Sequence, residues 1–307
     1  MNKNNNNIII FGGSGFIGSH VADILSEEGH NVTIFDLKKS PFLRQNQKMF
    51  IGDIKDKNAL DDAMKNNQIV YNFAGISDID ECHKDPISSI KMNILGNALI
   101  IESSIRNSVE KYLFASSAYV YSSFGSFYRI CKQSSEQIIE SYANENDIEY
   151  TILRYGSLYG NRADNRNSLY KIINSALEKK KIDYFGDGFE TREFIHVNDA
   201  ARLSVQAIDK KFNSQILMLT GKKSIKYVEL LEMIKEIIDE DIEINMHPKK
   251  SDTHYKISPY SFNPKLAKKL TINPHIDLGQ GILNLISDIY RKLNPDLDKD
   301  YNFTINK

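Results

Sequence analysis

The chain has 307 residues, with 39 Lys plus Arg set against 40 Asp plus Glu and a formal net charge of −1. That length suffices for one large α/β domain or a main domain with a smaller appendage. The balanced charge excludes a global basic field of the kind that draws nucleic acid or an anionic membrane, so neither is expected as a partner and a small molecule is. Two cysteines, Cys82 and Cys131, lack both metal-ligand spacing and the density of a disulfide scaffold, which fits a reducing, cytoplasmic setting. The Asn-rich start MNKNNNN carries no apolar signal segment and no apolar run approaches membrane-spanning length, so no membrane association is expected.

Ile8 to Phe11 form a short apolar run that stops at glycines, as a buried parallel strand does. GGSGFIG follows and opens a helical pattern in which Ile17, Val21, Ile24 and Leu25 share one face. A second strand, NVTIFD, ends at Asp36. Strand, glycine turn, helix, strand and terminal acid together predict a dinucleotide site: the glycines let main-chain amides and a helix N-terminus approach a pyrophosphate. Gly12, Gly15, Phe16, Ile17 and Gly18 are the candidate residues of that turn. Asp36 can accept both ribose hydroxyls of NAD, whereas the 2′-phosphate of NADP would set like charges together. NAD is the expected cofactor, although Lys38 and Lys39 follow closely.

The third strand, KMFIGDI, delivers Asp53 and Ile54 to a carboxyl end, where they are candidates to line the adenine. After a helix near Asp56 to Lys65, QIVYNFAG reads as strand four, with Ala74 and Gly75 small enough to lie beside a cofactor. SDIDECHKD reads as an acidic loop. Its Cys82 and His83 have no second His or Cys cluster nearby, so no metal is expected. A long helix is predicted from Asp85 to Arg106 with Pro86 in its first turn. Within it, Asn93 is either a solvated polar position or an amide tying the active-site strand to the cofactor side.

Strand five, EKYLFAS, leads into LFASSAYVYSSFGSFYRICK, which carries Ser117, Tyr128 and Lys132. Tyr128 and Lys132 are four apart and share one helix face, where an ammonium can act on a phenol. A free tyrosine titrates near 10, so its use as a base at neutral pH needs roughly 3 units of depression, about 4 kcal/mol. The helix continues through SSEQIIESYANE and IEYTILRYG gives strand six. This alternation predicts an α/β, Rossmann-like, doubly wound parallel sheet over residues 1–160, with a smaller α/β substrate domain over residues 161–307 whose segment 190–210 packs back on the first. In the second part a helix is expected from Ser168 to Lys179, a strand ending at Val197, and a helix capped at Asn198 or Asp199. Helix, strand and helix then follow, the last over FNPKLAKKL. Arg192 is either a surface cation in an ion pair or a planar match to a diphosphate.

GGSGFIGSH, SSAYVY, YRICK, LRYGSLYGNR, GDGFETREFIHVNDAA and FNPKLAKKLTINP, in that order, resemble the motifs of the extended short-chain dehydrogenase/reductase family, in its branch of nucleotide-sugar epimerases, dehydratases and related oxidoreductases. The resemblance implies that Tyr128 is the general base toward a sugar hydroxyl, Lys132 holds the nicotinamide ribose and lowers the tyrosine's pKa, and Ser117 hydrogen-bonds the same oxygen. Hydride then passes from C4 of a nucleotide-diphosphate sugar to NAD. By the same resemblance Tyr155 lies near the nicotinamide and Arg192 binds the diphosphate. A role in surface polysaccharide precursor synthesis and assembly as a homodimer or homotetramer are implied as well.

Departures from the family pattern bear on the reaction. Ala118 and Tyr119 stand where dehydratases carry an Asp-Glu pair, so dehydration is disfavoured. Ser157 replaces a substrate-contacting asparagine, and Lys249 an arginine whose bidentate fork it lacks. Only SSFGSF separates Tyr121 from Tyr128, where relatives have a longer, proline-containing cover. A shorter cover favours a net 4-dehydrogenase or reductase, with a 4-epimerase as the alternative and a catalytically silent NAD-binding module less favoured.

Overall fold

The computed structural model describes residues 5–238, 241–248 and 267–295. The apolar run at the start forms β1 (Asn7–Phe11), whose residues 8–11 are buried. The glycine turn leads into α1 (Phe16–Glu27), then β2 (Asn31–Asp36) and β3 (Gln47–Ile51). Next come α2 (Lys57–Met64), capped by the Asp56 carboxylate, and β4 (Ile69–Asn72). The acidic segment expected as a loop is instead a helix, α3 (Ile79–Lys84), because the Asp78 side chain accepts from the main-chain N–H groups of Asp80 and Glu81. The predicted long helix is interrupted. α4 (Pro86–Ser89) passes through a π-helical stretch, Ile90–Leu95, before α5 (Gly96–Arg106).

The chain continues through β5 (Lys111–Ser117), α6 (Ser126–Glu145), β6 (Glu149–Tyr155) and β7 (Ser157–Tyr159). α7 (Ser168–Lys179), β8 (Lys181–Phe185) and β9 (Thr191–His196) come next. α8 (Val197–Gln206) follows, and its cap is His196, whose Nδ1 accepts from the Asn198 N–H; neither Asn198 nor Asp199 fills that role. β10 (Gln215–Leu219), β11 (Ser224–Lys226), α9 (Tyr227–Ile238) and β12 (Glu243–His247) lead to β13 (Lys268–Leu270) and α10 (Leu278–Leu293). Where FNPKLAKKL is described, it ends in the strand β13 and not in the expected helix.

Among the described residues, eight strands form one parallel sheet in the order β13-β10-β6-β5-β4-β1-β2-β3. β1 is flanked by β2 and β4, so the chain winds outward both ways from it, as in a doubly wound Rossmann sheet. One face is covered by α1 and α8, with Val21, Leu25, Ala200 and Leu203 packed on Ile8, Ile10 and Tyr71. The other carries α2, α5 and α6 through Leu60, Leu99, Ile100 and Ile139. A separate cluster joins α7, α9 and α10 through Ile173, Leu230, Ile234 and Ile286. In register, Phe11 lies beside Phe35 and Asn72, and Ser117 beside Tyr155. The strand ends bearing the candidate residues therefore share one sheet edge, the edge where such sheets keep ligands.

Candidate active site

The glycine turn is shaped by close approach. Gly12 has φ +74°, and a Cβ there would come 2.7 Å from the Ala74 nitrogen beyond β4. A Cβ on Gly18 would collide with the Gly12 carbonyl oxygen. α1 starts from Gly15, and no side chain caps its first main-chain N–H groups, the arrangement that receives a phosphate. The Asp36 carboxylate is fixed at the end of β2, Oδ2 accepting from Ser14 N at 3.0 Å and Oδ1 from Leu37 N at 2.8 Å. Each oxygen keeps a further acceptor site for a ribose hydroxyl. Phe16 opens α1 with its ring edge-on to His20, and Ile17 packs against the α1/α8 core. The turn and its acid thus fit a dinucleotide such as NAD.

Asp53 and Ile54 follow β3, but they differ in availability. Asp53 is half-exposed and bonded to Lys55 N at 2.9 Å, whereas Ile54 is buried in the α2/α5 core and abuts Gly96. Ala74 donates its N–H to Asn72 Oδ1, and Gly75 lies against the Asn93 amide. Asn93 is buried, which removes the solvated alternative. Its Oδ1 accepts from Ile76 N at 2.7 Å and its Nδ2 donates to Ile76 O at 2.9 Å. It therefore ties the loop after β4, not the active-site strand, while its own carbonyl accepts from Ser135 Oγ on α6.

Ser117, Tyr128 and Lys132 are brought together and each is at most 9% exposed. Ser117 ends β5, and its Oγ accepts from Tyr119 N at 3.3 Å. Tyr128 and Lys132 lie one turn apart on α6. The Lys132 Nζ donates to the Ala115 carbonyl at 2.6 Å and stands 4.8 Å from the Phe114 ring centroid and 5.8 Å from that of Tyr128. Burial pulls Lys132 down from 10.5 to about 8, against the raising influence of Cys82, Cys131 and Glu136. It is cationic at neutral pH, beside the phenol it would stabilise as phenolate.

Tyr155 lies beside Ser117 in the sheet, but its hydroxyl shares a 2.6 Å hydrogen bond with Ser204 on α8 and burial pushes the phenol well above its ordinary range. Any contact it makes with a ligand falls to its ring or main chain. Ser157 stands in β7, paired in register with Phe194 of β9. Arg192 is buried and not a surface cation: its Nη1 donates to Thr191 O at 2.8 Å and its guanidinium lies 5.6 Å from the Tyr227 ring centroid. Lys249 lies outside the described residues. Among the described residues no three His, Cys, Asp or Glu side chains are grouped to hold a metal.

Sequence reasoning missed two features. The Tyr119 ring stands edge-on to Tyr128, centroids 6.1 Å apart, and packs on the Gly125 turn, where a Cβ would come 2.7 Å from it. Tyr119 thus fills space beside the short Ser122–Gly125 link. Glu136 forms a buried ion pair with Arg154 and accepts from Ser116 Oγ. Its i+4 spacing from Lys132 was a visible signal, but its partner lies 18 residues away on another element.

Residues 8–218 match the model of the NAD dependent epimerase/dehydratase family. A protein of Methanocaldococcus jannaschii that carries a UDP-glucose 4-epimerase name is 30% identical over 302 residues, spanning 91% of this chain and 97% of its own. A UDP-N-acetyl-alpha-D-glucosaminuronate decarboxylase of Bacillus cytotoxicus is 27% identical over 91% of this chain and 96% of its own. Among solved structures, the UDP-glucose 4-epimerase of Thermotoga maritima with UDP-glucose superposes with a TM-score of 0.81 at 25% identity, over 94% of this chain and 99% of that one. The extended short-chain dehydrogenase/reductase resemblance is borne out: with more than half its length matched and a Rossmann sheet carrying the motifs, this chain belongs to the NAD-dependent epimerase/dehydratase family.

Proposed function

We propose that the protein is an NAD-dependent oxidoreductase that removes hydride from C4 of a nucleotide-activated sugar. Bound NAD supplies the hydride acceptor, and the glycine turn with Asp36 would hold it. Tyr128 takes the proton of the C4 hydroxyl, Lys132 stabilises the resulting phenolate, and Ser117 hydrogen-bonds the same sugar oxygen. The observation behind this is the convergence of Ser117, Tyr128 and Lys132 at the sheet edge that carries the glycine turn. Arg192, Ser157 and Lys249 are the proposed substrate contacts, within a substrate-binding part formed mainly by residues 161–307. Tyr128→Phe is expected to lower hydride transfer by at least about 10²-fold while NAD affinity, measured by calorimetry, stays within about threefold. Retained turnover would exclude Tyr128 as the base.

For the net reaction, a 4-dehydrogenase or reductase is favoured by the short link between Tyr121 and α6, a single turn over Ser122–Gly125. A 4-epimerase is favoured by the names of the relatives. Interconversion of C4 epimers without released ketone or an electron acceptor decides for the epimerase; free ketone with reduced cofactor decides for the dehydrogenase. Two free, buried cysteines, Cys82 and Cys131, accord with a cytoplasmic setting. Among the described residues no helix is long and apolar enough to cross a membrane.

A further inference from the structure

Four residues beyond Lys132 on α6, the buried Glu136 carboxylate accepts two charge-assisted hydrogen bonds from Arg154, from Nε at 2.9 Å and from Nη2 at 2.6 Å. Ser116 Oγ donates to the same Oε1, and Ser116 is the register partner of Arg154 across β5 and β6. The Tyr121 ring centroid lies 4.5 Å from the guanidinium carbon, and Gln133 Nε2 donates to Val120 O at 2.7 Å. One carboxylate thus joins the strand that ends in Ser117, the helix that bears Tyr128 and Lys132, and the strand that ends in Tyr155. A buried ion pair is a poor device for stability, since desolvation offsets much of its attraction and an apolar pair of similar volume often serves as well. It is a good device for orientation, because a bidentate guanidinium-carboxylate pair accepts little angular error.

We propose that Glu136, clamped by Arg154, is a positioning residue of the reaction centre: it fixes the end of β5 through Ser116 and the rotation of α6 through its own backbone, and so holds Ser117, Tyr128 and Lys132 in mutual register. The proposal rests on the hydride-transfer function given above. Glu136 also faces Lys132 electrostatically. The groups acting on Lys132 are Cys82 from α3, Cys131 and Glu136 from its own helix, the Ala115 carbonyl from β5, and the rings of Phe114 and Tyr128. Burial pushes both thiols up, Cys131 to about 11, and Glu136 joins them in raising Lys132 against its burial.

Glu136→Gln keeps the side chain's size but leaves the Arg154 charge uncompensated. It is expected to cut kcat by about 10²-fold, the order that misplacement by about an ångström costs, with KM for the nucleotide sugar within about threefold. In the NAD-free protein, the NMR titration of the Lys132 ammonium is expected to move below that of the wild-type protein, because Glu136 is among the groups that raise it. The double variant Glu136→Leu/Arg154→Met separates positioning from folding: Tm should recover while kcat stays low. Recovery of kcat together with Tm would overturn the proposal. Should the double variant not fold, Ser116→Ala removes only the bridging hydroxyl; about a tenfold loss of kcat supports the proposal and an unchanged kcat overturns it. If the wild-type enzyme turned over no nucleotide sugar, the parent function would fail, and the Lys132 titration would still decide: an unmoved titration in Glu136→Gln contradicts the link.

Discussion

Lys132 illustrates how much one residue's surroundings set its chemistry. Burial lowers it from 10.5 to about 8, so the folded protein holds this proton more weakly than the unfolded chain does. The charged form then costs about 3 kcal/mol. That cost is felt in full below pH 8 and fades as the pH rises from about 8 to 10.5. Lys132→Met removes it. In NAD-free protein, the stability of the variant relative to wild type is therefore expected to fall as the pH rises through that window, while turnover drops by at least about 10²-fold. Thermal melts across the window check the first part; a relative stability that climbs with pH would contradict the assignment. The pairing of Lys132 with Tyr128 was legible in the sequence because both lie on one helix, four residues apart. The burial that tunes Lys132 was not, because Phe114 on β5, and Cys82 on α3 whose influence opposes that burial, are brought alongside only by the fold.

Among the elements, the π-helical stretch Ile90–Leu95 matters because it presents Asn93 inward to the loop after β4. Asn93→Ala loses two hydrogen bonds to Ile76 and leaves that residue's N–H and C=O without these partners. A loss of about 2–3 kcal/mol in urea unfolding is expected. Weaker NAD binding should accompany it, since Ala74 in the same loop packs on Gly12. Unfolding unchanged within about 0.5 kcal/mol would deny Asn93 this role. The strands β1 to β6 were readable from short apolar runs ending at glycines or turn residues. α3 was not, because six mostly polar residues give no periodicity, although Asp78 two and three residues ahead of Asp80 and Glu81 is a cap signal. α10 escaped too, despite an apolar face through Ile282, Leu285, Ile286 and Ile289 and a capping Asp277. β13 is three residues long, and only its pairing with β10 makes it a strand.

At the scale of the whole molecule, the large sheet takes β10 and β13 from far downstream of β6. Pairings over such separations leave no local trace, so the sheet's core was foreseeable and its outer edge was not. The outer surface of α4, the π-helical stretch and α6 exposes Ile87, Ile90, Leu95 and Ile130. Exposed apolar side chains of this kind suit the homodimer or homotetramer that the family resemblance implies. Leu95→Asp is expected to shift the sedimenting species toward the monomer; a wild-type monomer, or an unchanged variant, would contradict that surface's role.

The central claim is that hydride leaves C4 of a nucleotide sugar beside Tyr128. Its most direct test incubates the enzyme with NAD and UDP-, GDP- and dTDP-hexoses deuterated at C4, quenches by denaturation, and weighs the recovered cofactor by mass spectrometry. Deuterium on reduced nicotinamide with at least one sugar, and its loss in Tyr128→Phe, is the expected result. Deuterium retained at C4 of every sugar, with no C4 epimer formed and the cofactor unreduced throughout, would contradict it.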